Sequence, residues 1–311
     1  AYGGPLAKIA PTPHLDRIAK EGMLFEHCLV SNSICAPSRA VVLTGKYSHL
    51  NGQLTNKGSF DGTQQTAPKL LRKAGYQTAI VGKWHLKSTP TGFDHFEVLK
   101  GQGQYYNPDF KTVEGRKRID GHCTDLVTDM ALDWLKNRDP EKPFLLCAQY
   151  KTPHIHRLPP PNRMGGYDDL EFPVPETFFD DFSTRSDFVS KTWMALKGMK
   201  GHVLNIAPTE EEIRKNPKIR PPFLQEMNPR QRKAWHAAYD PRNLKFRKMK
   251  EAGKLEGKRA QLYVYQRFIK DYVRCIDGLD DQVGRILSFL DESGLTENTL
   301  VIYSSDQGFF T

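Results

Sequence analysis

Apolar residues along the chain follow two kinds of spacing that alternate from one end of the sequence to the other. Positions three and four residues apart predict helices over residues 13–21, 68–75, 123–136 and 262–290. Short continuous apolar runs predict buried strands over residues 23–25, 78–81, 144–150 and 300–303. Strands that alternate with helices imply βαβ crossovers. The expected fold class is therefore α/β, with a mostly parallel central sheet flanked by helices.

Residues 157–260 interrupt this alternation and are predicted to form a proline-rich, basic insertion. Three consecutive prolines begin at Pro159, and residues 201–260 hold 15 Lys and Arg against 7 Asp and Glu. Such an excess favours a polyanionic partner, whereas a solvated helical face explains the same charge without any partner. Both interpretations stay open. No recognised nucleic-acid motif accompanies the charge, so we expect no nucleic-acid partner.

Composition excludes several other classes of protein. The 311 residues are 38% hydrophobic and 26% charged, with a net charge of +9, which is typical of a globular protein. No run approaches the ~18 consecutive apolar residues that a membrane span requires. Five scattered cysteines without a Cys-x-x-Cys pair indicate neither a disulfide-stapled domain nor a zinc site. Three of them, Cys123, Cys147 and Cys275, lie in apolar or helical segments and are expected to be buried thiols.

Polar residues follow three of the predicted strands at the point where each strand ends. Ligands of open α/β sheets gather beyond the carboxyl ends of the strands. Lys83, His85 and His154 occupy such positions and suit an anionic group in transfer. Asp306 and Gln307 offer oxygen ligands to a hard cation. Each residue alone is equally compatible with a structural hydrogen bond, but together they predict metal-assisted chemistry on an oxyanion ester.

A fourth polar element is the run Cys35-Ala36-Pro37-Ser38-Arg39, which leads into Leu43-Thr44-Gly45. Pro37 and Ser38 indicate a helix start, so Cys35 is predicted at or just before a helix N-terminus, where backbone N–H groups favour negative charge. As a plain thiol, Cys35 is either a nucleophile or a packed residue, and both interpretations stay open.

The Cys35 run resembles the signature of the formylglycine-dependent sulfatases, Cys-x-Pro-Ser-Arg followed by Leu-Thr-Gly. The resemblance continues through Gly82-Lys83-Trp84-His85-Leu86, Pro153-His154 and Ser305-Asp306-Gln307-Gly308, so it spans nearly the whole chain. It implies an alkaline-phosphatase-like α/β fold. It also implies that a separate formylglycine-generating maturation enzyme oxidises Cys35 to formylglycine, and that the hydrated aldehyde attacks sulfur.

The resemblance assigns catalytic roles to four further residues. Arg39 would orient and stabilise the hydrate. Lys83 would hold sulfate oxygens and neutralise charge as the S–O bond breaks. His85 would take a proton from the remaining hydroxyl, so that the aldehyde reforms and sulfate leaves. His154 would contact the sulfate and protonate the departing oxygen.

The resemblance also implies a Ca²⁺ site at Asp306, Gln307 and the modified Cys35. The family begins with a strand that ends in paired aspartates, and it continues to a further sulfate-binding lysine; neither feature occurs in residues 1–311. Residues 1–311 are therefore expected to be one sulfatase catalytic domain that is truncated at both ends. We expect this chain alone to bind calcium poorly and to turn over little substrate.

The implied substrate is a sulfated glycan. Residues 61–66 and 101–108 are similar to stretches of bacterial glycan sulfatases, including those that resemble N-acetylglucosamine-6-sulfatases. Such enzymes are usually exported to the periplasm or beyond. Two alternatives stay open: a phosphodiesterase or phosphonate hydrolase of the same fold, and a non-catalytic binder of sulfated glycans. His49, His95 and His156 are expected to be ordinary loop, rim or surface histidines.

Overall fold

The computed structural model describes residue 4, residues 6–191 and residues 204–307. The chain divides into two compact units. The first, Ala1–Thr12 with Thr152–Leu279, is called the helical unit here; the second, Pro13–Lys151 with Asp280–Thr311, is called the sheet unit. Within the described ranges, no helix has both the length and the apolar character needed to cross a membrane.

The sheet unit is built on five strands: β1 (Gln77–Lys83), β2 (His95–Leu99), β3 (Asp109–Thr112), β4 (Arg116–Arg118) and β5 (Phe144–Gln149). Their order across the sheet is β4-β3-β2-β1-β5. β1 is parallel to both β2 and β5, whereas β3 is antiparallel to its neighbours on each side. The α/β class is confirmed, and the sheet is mixed because β3 and β4 form an antiparallel hairpin.

Ten α-helices are present within the described residues. The sheet unit contains α1 (Pro13–Glu21), α2 (Cys35–Thr44), α3 (Ser48–Asn51), α4 (Ala67–Lys73) and α5 (Cys123–Asn137). The helical unit contains α6 (Asp187–Ser190), α7 (Glu210–Lys215), α8 (Pro222–Glu226) and α9 (Pro229–Glu251). The last helix, α10 (Gly257–Glu292), contributes residues to both units.

Strand β1 is an internal strand of the sheet, between β2 and β5, and apolar clusters cover both of its faces. On one face Ile80 packs in a cluster with Ala36 and Ala40 of α2. On the other face Val81 packs in a cluster with Val127 of α5. A strand that is buried on both faces reads as a continuous apolar run, which is why the sequence pattern located β1 correctly.

Two predicted strands are wrong. Residues 23–25 and 300–303 have no strand structure. Their apolar side chains are exposed: Met23 and Phe25 by 74% and 72%, and Leu300 and Ile302 by 85% and 79%. The apolar pattern was present, but no strand of the described residues pairs with either segment. A strand needs a hydrogen-bonded neighbour, which the pattern of one segment does not reveal.

The helical unit has its own core, which combines apolar packing with buried charge. Tyr239 of α9 donates a hydrogen bond to Asp271 Oδ1 of α10 at 2.8 Å, and Arg274 Nη1 lies 2.8 Å from the same oxygen. Trp235 stacks on Tyr239 with ring centroids 4.7 Å apart. The basic residues of α9 are partly neutralised, since Arg242 pairs with Asp168.

Gly82 permits the close approach of β1 to β5. Its φ is +94°, and a Cβ at this position would lie 2.0 Å from the carbonyl oxygen of Gln149. Gly45 has a comparable φ of +66° but no heavy atom within 4 Å of an added Cβ. A side chain at Gly45 would meet backbone strain alone, whereas a side chain at Gly82 would meet the same strain and a steric clash. Comparing substitutions at the two glycines therefore isolates the cost of the clash.

We predict that Gly82→Ala lowers the free energy of unfolding by about 3 kcal/mol, because it combines left-handed strain with a backbone clash. Gly45→Ala, the control, lowers it by about 1 kcal/mol through strain alone. Urea unfolding of the three proteins measures both values. Equal losses in the two variants would contradict the close approach of β1 and β5.

Candidate active site

Three parallel strands of the sheet unit end at one edge of the sheet. In the strand register Lys83 is the last residue of β1 and pairs with Leu99, the last residue of β2. Gln149, the last residue of β5, pairs with Gly82. The carboxyl ends of β1, β2 and β5 therefore coincide. The sequence predicted this for the strands that precede Lys83 and His154, whereas the third predicted strand, residues 300–303, is not formed and β2 was not predicted.

Arg39 of α2 connects this edge to two other parts of the sheet unit. Its Nη1 donates to the carbonyl oxygen of Lys83 at 2.6 Å and to Oε1 of Gln149 at 2.5 Å. Its Nε and Nη2 both lie 2.8 Å from Oδ2 of Asp306. The Arg39 side chain is 11% exposed, so these charge-assisted bonds form largely away from water. One guanidinium thus ties α2 to the ends of β1 and β5 and to Asp306.

Lys83 places a buried ammonium at the same edge. The residue is 2% exposed, and its Nζ lies 3.9 Å from Oδ2 of Asp306. Burial lowers the pKa of Lys83, and the charge of Arg39 lowers it further, while Asp306 and Cys35 act in the opposite direction. Two cationic side chains thus share one carboxylate, so the site favours an additional anion.

His85 lies two residues beyond Lys83, in a backbone conformation that non-glycine residues seldom adopt. Its φ is +57°, in the left-handed region. Burial, followed by the charges of Lys83 and Arg39, lowers the pKa of the imidazole to about 4. His85 is therefore neutral at pH 7 and able to accept a proton. Its Nδ1 is buried and has no hydrogen-bond partner in the described part of the chain.

Cys35 is the first residue of α2, as the sequence predicted, and its side chain is partly exposed. The N-cap residue, Ile34, provides no side-chain hydrogen bond to the helix. Oδ1 of Asn56 instead accepts a hydrogen bond from the backbone N–H of Ala36 at 3.0 Å. The position combines the positive end of a helix with the nearby charge of Lys83, so a negatively charged group at residue 35 is stabilised.

The other cysteines have no such environment. Cys123 and Cys275 are buried, as predicted, and burial raises the pKa of the Cys123 thiol to about 12. Cys147 lies on β5 and is less enclosed than predicted, yet burial raises its thiol pKa to about 11. Cys28 is exposed.

The predicted metal ligands Asp306 and Gln307 supply only part of a calcium site. Oδ2 of Asp306 is already bonded to Arg39. Ca²⁺ takes about 6–8 oxygen ligands, whereas these two residues offer one carboxylate and one amide oxygen, and an unmodified Cys35 offers no oxygen. Among the residues that the structure describes, no group of three or more His, Cys, Asp or Glu can hold a metal ion. Gly308 of the motif lies outside the described residues.

His154 belongs to the helical unit, so its role beside Lys83 stays a prediction. Its Nδ1 lies 2.6 Å from the carbonyl oxygen of Ile155. His156 packs against Phe223. His49 is exposed but lies in the short helix α3 and not in a loop, contrary to the prediction.

His95 is not a loop residue, contrary to the prediction. It lies on β2, and its Nε2 lies 3.2 Å from Oε1 of Glu97.

Two residues that the sequence did not single out take part in the site. Gln149 shares Nη1 of Arg39 with Lys83, and Asn56 caps the first turn of α2. Gln149 could have been identified from the sequence, because it is a polar residue near the end of the predicted strand 144–150. Asn56 had no comparable signal, because its partner Ala36 is 20 residues away in sequence.

Comparisons with known proteins place the chain among sulfatases. A family model described as Sulfatase matches residues 1–310. The chain is 40% identical over 315 residues to the N-acetylglucosamine-6-O-sulfatase of Bacteroides thetaiotaomicron. This alignment covers 99% of the chain and 55% of the Bacteroides protein. The chain thus spans about half the length of this curated relative.

Solved structures are similar as well. One, described as a complex with its substrate D-glucosamine-2-N,6-O-disulfate, has a TM-score of 0.91 and 39% identity, covering 96% of this chain and 61% of that chain. A phosphonate monoester hydrolase from Silicibacter pomeroyi has a TM-score of 0.51 and 17% identity, covering 94% and 57% of the two chains, which shows a shared fold alone. The predicted alkaline-phosphatase-like α/β fold is confirmed.

We predict that the imidazole of His85 stays neutral from pH 7 down to about pH 5, because its pKa of about 4 lies below that range. NMR titration of the His85 Cε1–H resonance measures this value. Lys83→Met removes one repelling charge and is expected to raise the pKa, while burial keeps it below that of a free histidine. A midpoint near that of a free histidine in the unsubstituted chain would contradict the description of this environment.

We also predict that residues 1–311 alone bind Ca²⁺ with a Kd above about 1 mM, weaker than typical extracellular calcium modules. The physical reasons are the small number of oxygen ligands and the existing bonds of Asp306 to Arg39. Isothermal titration calorimetry measures the affinity. Submillimolar binding that is lost in Asp306→Asn would show that the chain holds a complete site.

Proposed function

Because the chain belongs to the sulfatase family, we propose that the whole protein hydrolyses sulfuric esters and releases sulfate from a sulfated sugar. The observation that carries this proposal is the cationic edge of the sheet unit. There, Arg39 and the buried Lys83 share the single carboxylate of Asp306, beside a neutral His85 and the N-terminus of α2. A sulfate ester is the kind of anion that such a site stabilises.

Lys83 would bind the sulfate oxygens. Its ammonium is buried, so its attraction for a developing negative charge is weakened little by water. Because Arg39 already bonds to Lys83, Gln149 and Asp306, it is held in place before substrate arrives. This preorganisation lets the charges stabilise the breaking S–O bond without rearrangement.

Cys35 would act after conversion to formylglycine by a maturation enzyme. When formed, that group supplies a hydrated aldehyde whose hydroxyl is the nucleophile toward sulfur. The first position of α2 suits this role because the helix N-terminus favours negative charge on the attacking oxygen.

Proton transfer is assigned to the two histidines. His85 is neutral at pH 7, so its imidazole would accept a proton from a hydroxyl at position 35. His154 would donate a proton to the departing sugar oxygen. The second assignment rests on the Pro153-His154 motif.

Calcium belongs to the proposal, with ligands beyond those that the described residues supply. Asp306 and Gln307 would hold the ion together with the modified side chain at residue 35. When bound, Ca²⁺ supplies Lewis-acid polarisation of the sulfate. Because Arg39 bonds to Oδ2 of Asp306, this carboxylate would offer the ion its other oxygen, Oδ1.

A 6-O-sulfated glucosamine is the substrate class that the comparisons favour. The similar Bacteroides protein is named an N-acetylglucosamine-6-O-sulfatase, and the similar solved structure contains a glucosamine disulfate. In this chain the loop after β2 begins at the same sheet edge as Lys83. Lys151 Nζ fixes that loop by donating to the carbonyl oxygen of Gln102 at 3.1 Å. We propose that this loop contacts the sugar and that the protein acts in the periplasm or outside the cell.

We predict that the whole protein, expressed with a formylglycine-generating enzyme, releases sulfate from D-glucosamine 6-sulfate, and that Cys35→Ala abolishes the release because the nucleophile is lost. Ion chromatography measures the sulfate. Cys28→Ala is the matched control, since Cys28 is exposed and outside the site, and it should retain full activity.

Mass spectrometry of the peptide Glu21–Arg39, which contains both cysteines, should locate the aldehyde at residue 35. A faster reaction with phosphate esters than with sulfate esters would favour the phosphonate or phosphodiester alternative. Sulfate release that persists in Cys35→Ala would contradict the assignment of residue 35 as the nucleophile.

A further inference from the structure

Residues 45–58, which include the short helix α3, leave the C-terminal end of α2 and return to its N-terminal end; this segment is called the clamp loop here. At the C-terminal end, Nδ2 of Asn51 donates to the carbonyl oxygen of Lys46 at 2.9 Å and to Oγ1 of Thr44 at 3.4 Å. Asn51 is 4% exposed. The loop is therefore anchored where α2 ends.

The middle of the clamp loop is held by one buried side chain. Gln53 is 2% exposed, and its Nε2 donates to the carbonyl oxygens of Thr55 at 2.7 Å and Gly58 at 3.2 Å. Its backbone N–H donates to Oδ1 of Asn51 at 2.9 Å. The amide of Gln53 thus fixes the shape of residues 55–58 from inside the turn, including the position of Asn56.

Asn56 connects the clamp loop to the N-terminal turn of α2. The helix has 10 residues, so its two ends are ~15 Å apart. Ile34 provides no cap, Pro37 has no N–H, and Ser38 N donates to the carbonyl oxygen of Ile34 at 3.0 Å. Within the described residues, the bond from Ala36 N–H to Asn56 Oδ1 is thus the only side-chain cap on this turn. The cap lies on the residue next to Cys35.

The clamp loop is also bonded to the segment that carries His85. Nζ of Lys87 donates to the carbonyl oxygen of Lys57 at 2.7 Å. Just beyond the loop, Phe60 N–H donates to the carbonyl oxygen of Leu86 at 3.0 Å. Asn56 thus bonds to the helix that begins with Cys35, while Lys57 and Phe60, which follow it in the chain, bond to residues 86 and 87, just after His85.

We propose that Asn56 is a positioning residue for the side chain at position 35. By capping Ala36 from a loop that is bonded to residues 86 and 87, it fixes the first turn of α2 relative to Lys83 and His85. This proposal rests on the proposed function in so far as position 35 carries the nucleophile. A nucleophile that is misplaced by about 1 Å reacts roughly 100-fold more slowly.

The test compares three variants of the whole protein, each expressed with a formylglycine-generating enzyme and corrected for the aldehyde content of the Glu21–Arg39 peptide. Asn56→Ala removes the acceptor and is expected to lower kcat for D-glucosamine 6-sulfate by about 10- to 100-fold, with KM changed less than about 2-fold. Asn56→Asp keeps an acceptor of the same reach, so kcat stays within about 3-fold. Its added negative charge raises KM for the anionic substrate. Ser59→Ala, an exposed residue on the same stretch of chain, is the matched control.

A second readout does not depend on turnover. Amide hydrogen exchange at Ala36 is expected to be faster in Asn56→Ala than in the unsubstituted protein and to be slow again in Asn56→Asp. If the unsubstituted protein releases no sulfate, the proposed function fails, and the exchange data still decide whether Asn56 holds the turn. The positioning role is overturned if Asn56→Ala keeps kcat within about 2-fold of the unsubstituted value, or if Ala36 exchange is the same in both proteins.

Discussion

The rest of the site depends on the hydrogen bonds of one largely buried guanidinium. Arg39 bonds to the carbonyl oxygen of Lys83, the amide oxygen of Gln149 and the carboxylate of Asp306, so three separate stretches of the sheet unit meet at one side chain. Gly82 makes this meeting possible, since any larger residue would force β1 away from the carbonyl of Gln149. Loss of a single acceptor would leave a buried N–H unsatisfied, which costs about 1–3 kcal/mol.

The charges that Arg39 organises also determine the chemistry of the neighbouring groups. Arg39 and Lys83 together outweigh Asp306, so the edge of the sheet attracts an anion. Burial and the charges of the same two cations lower the pKa of His85, so its imidazole stays neutral at pH 7. A site of this kind holds an oxyanion and a proton acceptor side by side without any rearrangement of its own residues. The N-terminus of α2 adds a further preference for negative charge at residue 35.

Residue patterns predicted the parts of the fold and site that depend on local chemistry. The apolar run around Ile80 located strand β1, and Pro37 and Ser38 located the start of α2 with Cys35 at its first turn. What the sequence did not show are contacts that depend on distant segments. Gln149 and Asn56 work through partners far away in the chain, and the strands of the β3–β4 hairpin, with four and three residues, are too short for a sequence pattern to identify them. The exposed residues 300–303 show that an apolar pattern indicates a strand only where a pairing edge exists.

A crystal structure of the Cys35→Ala variant of the whole protein with D-glucosamine 6-sulfate would test the central claim most directly, because alanine lacks the side-chain heteroatom whose oxidation yields the aldehyde. The account predicts the sulfate group at the sheet edge, with an oxygen within about 3 Å of Lys83 Nζ and its sulfur facing the side chain at residue 35. It also predicts that Arg39 keeps its bonds to Lys83, Gln149 and Asp306. A sulfate bound away from this edge, or an Arg39 that leaves these partners to bind it, would contradict the account.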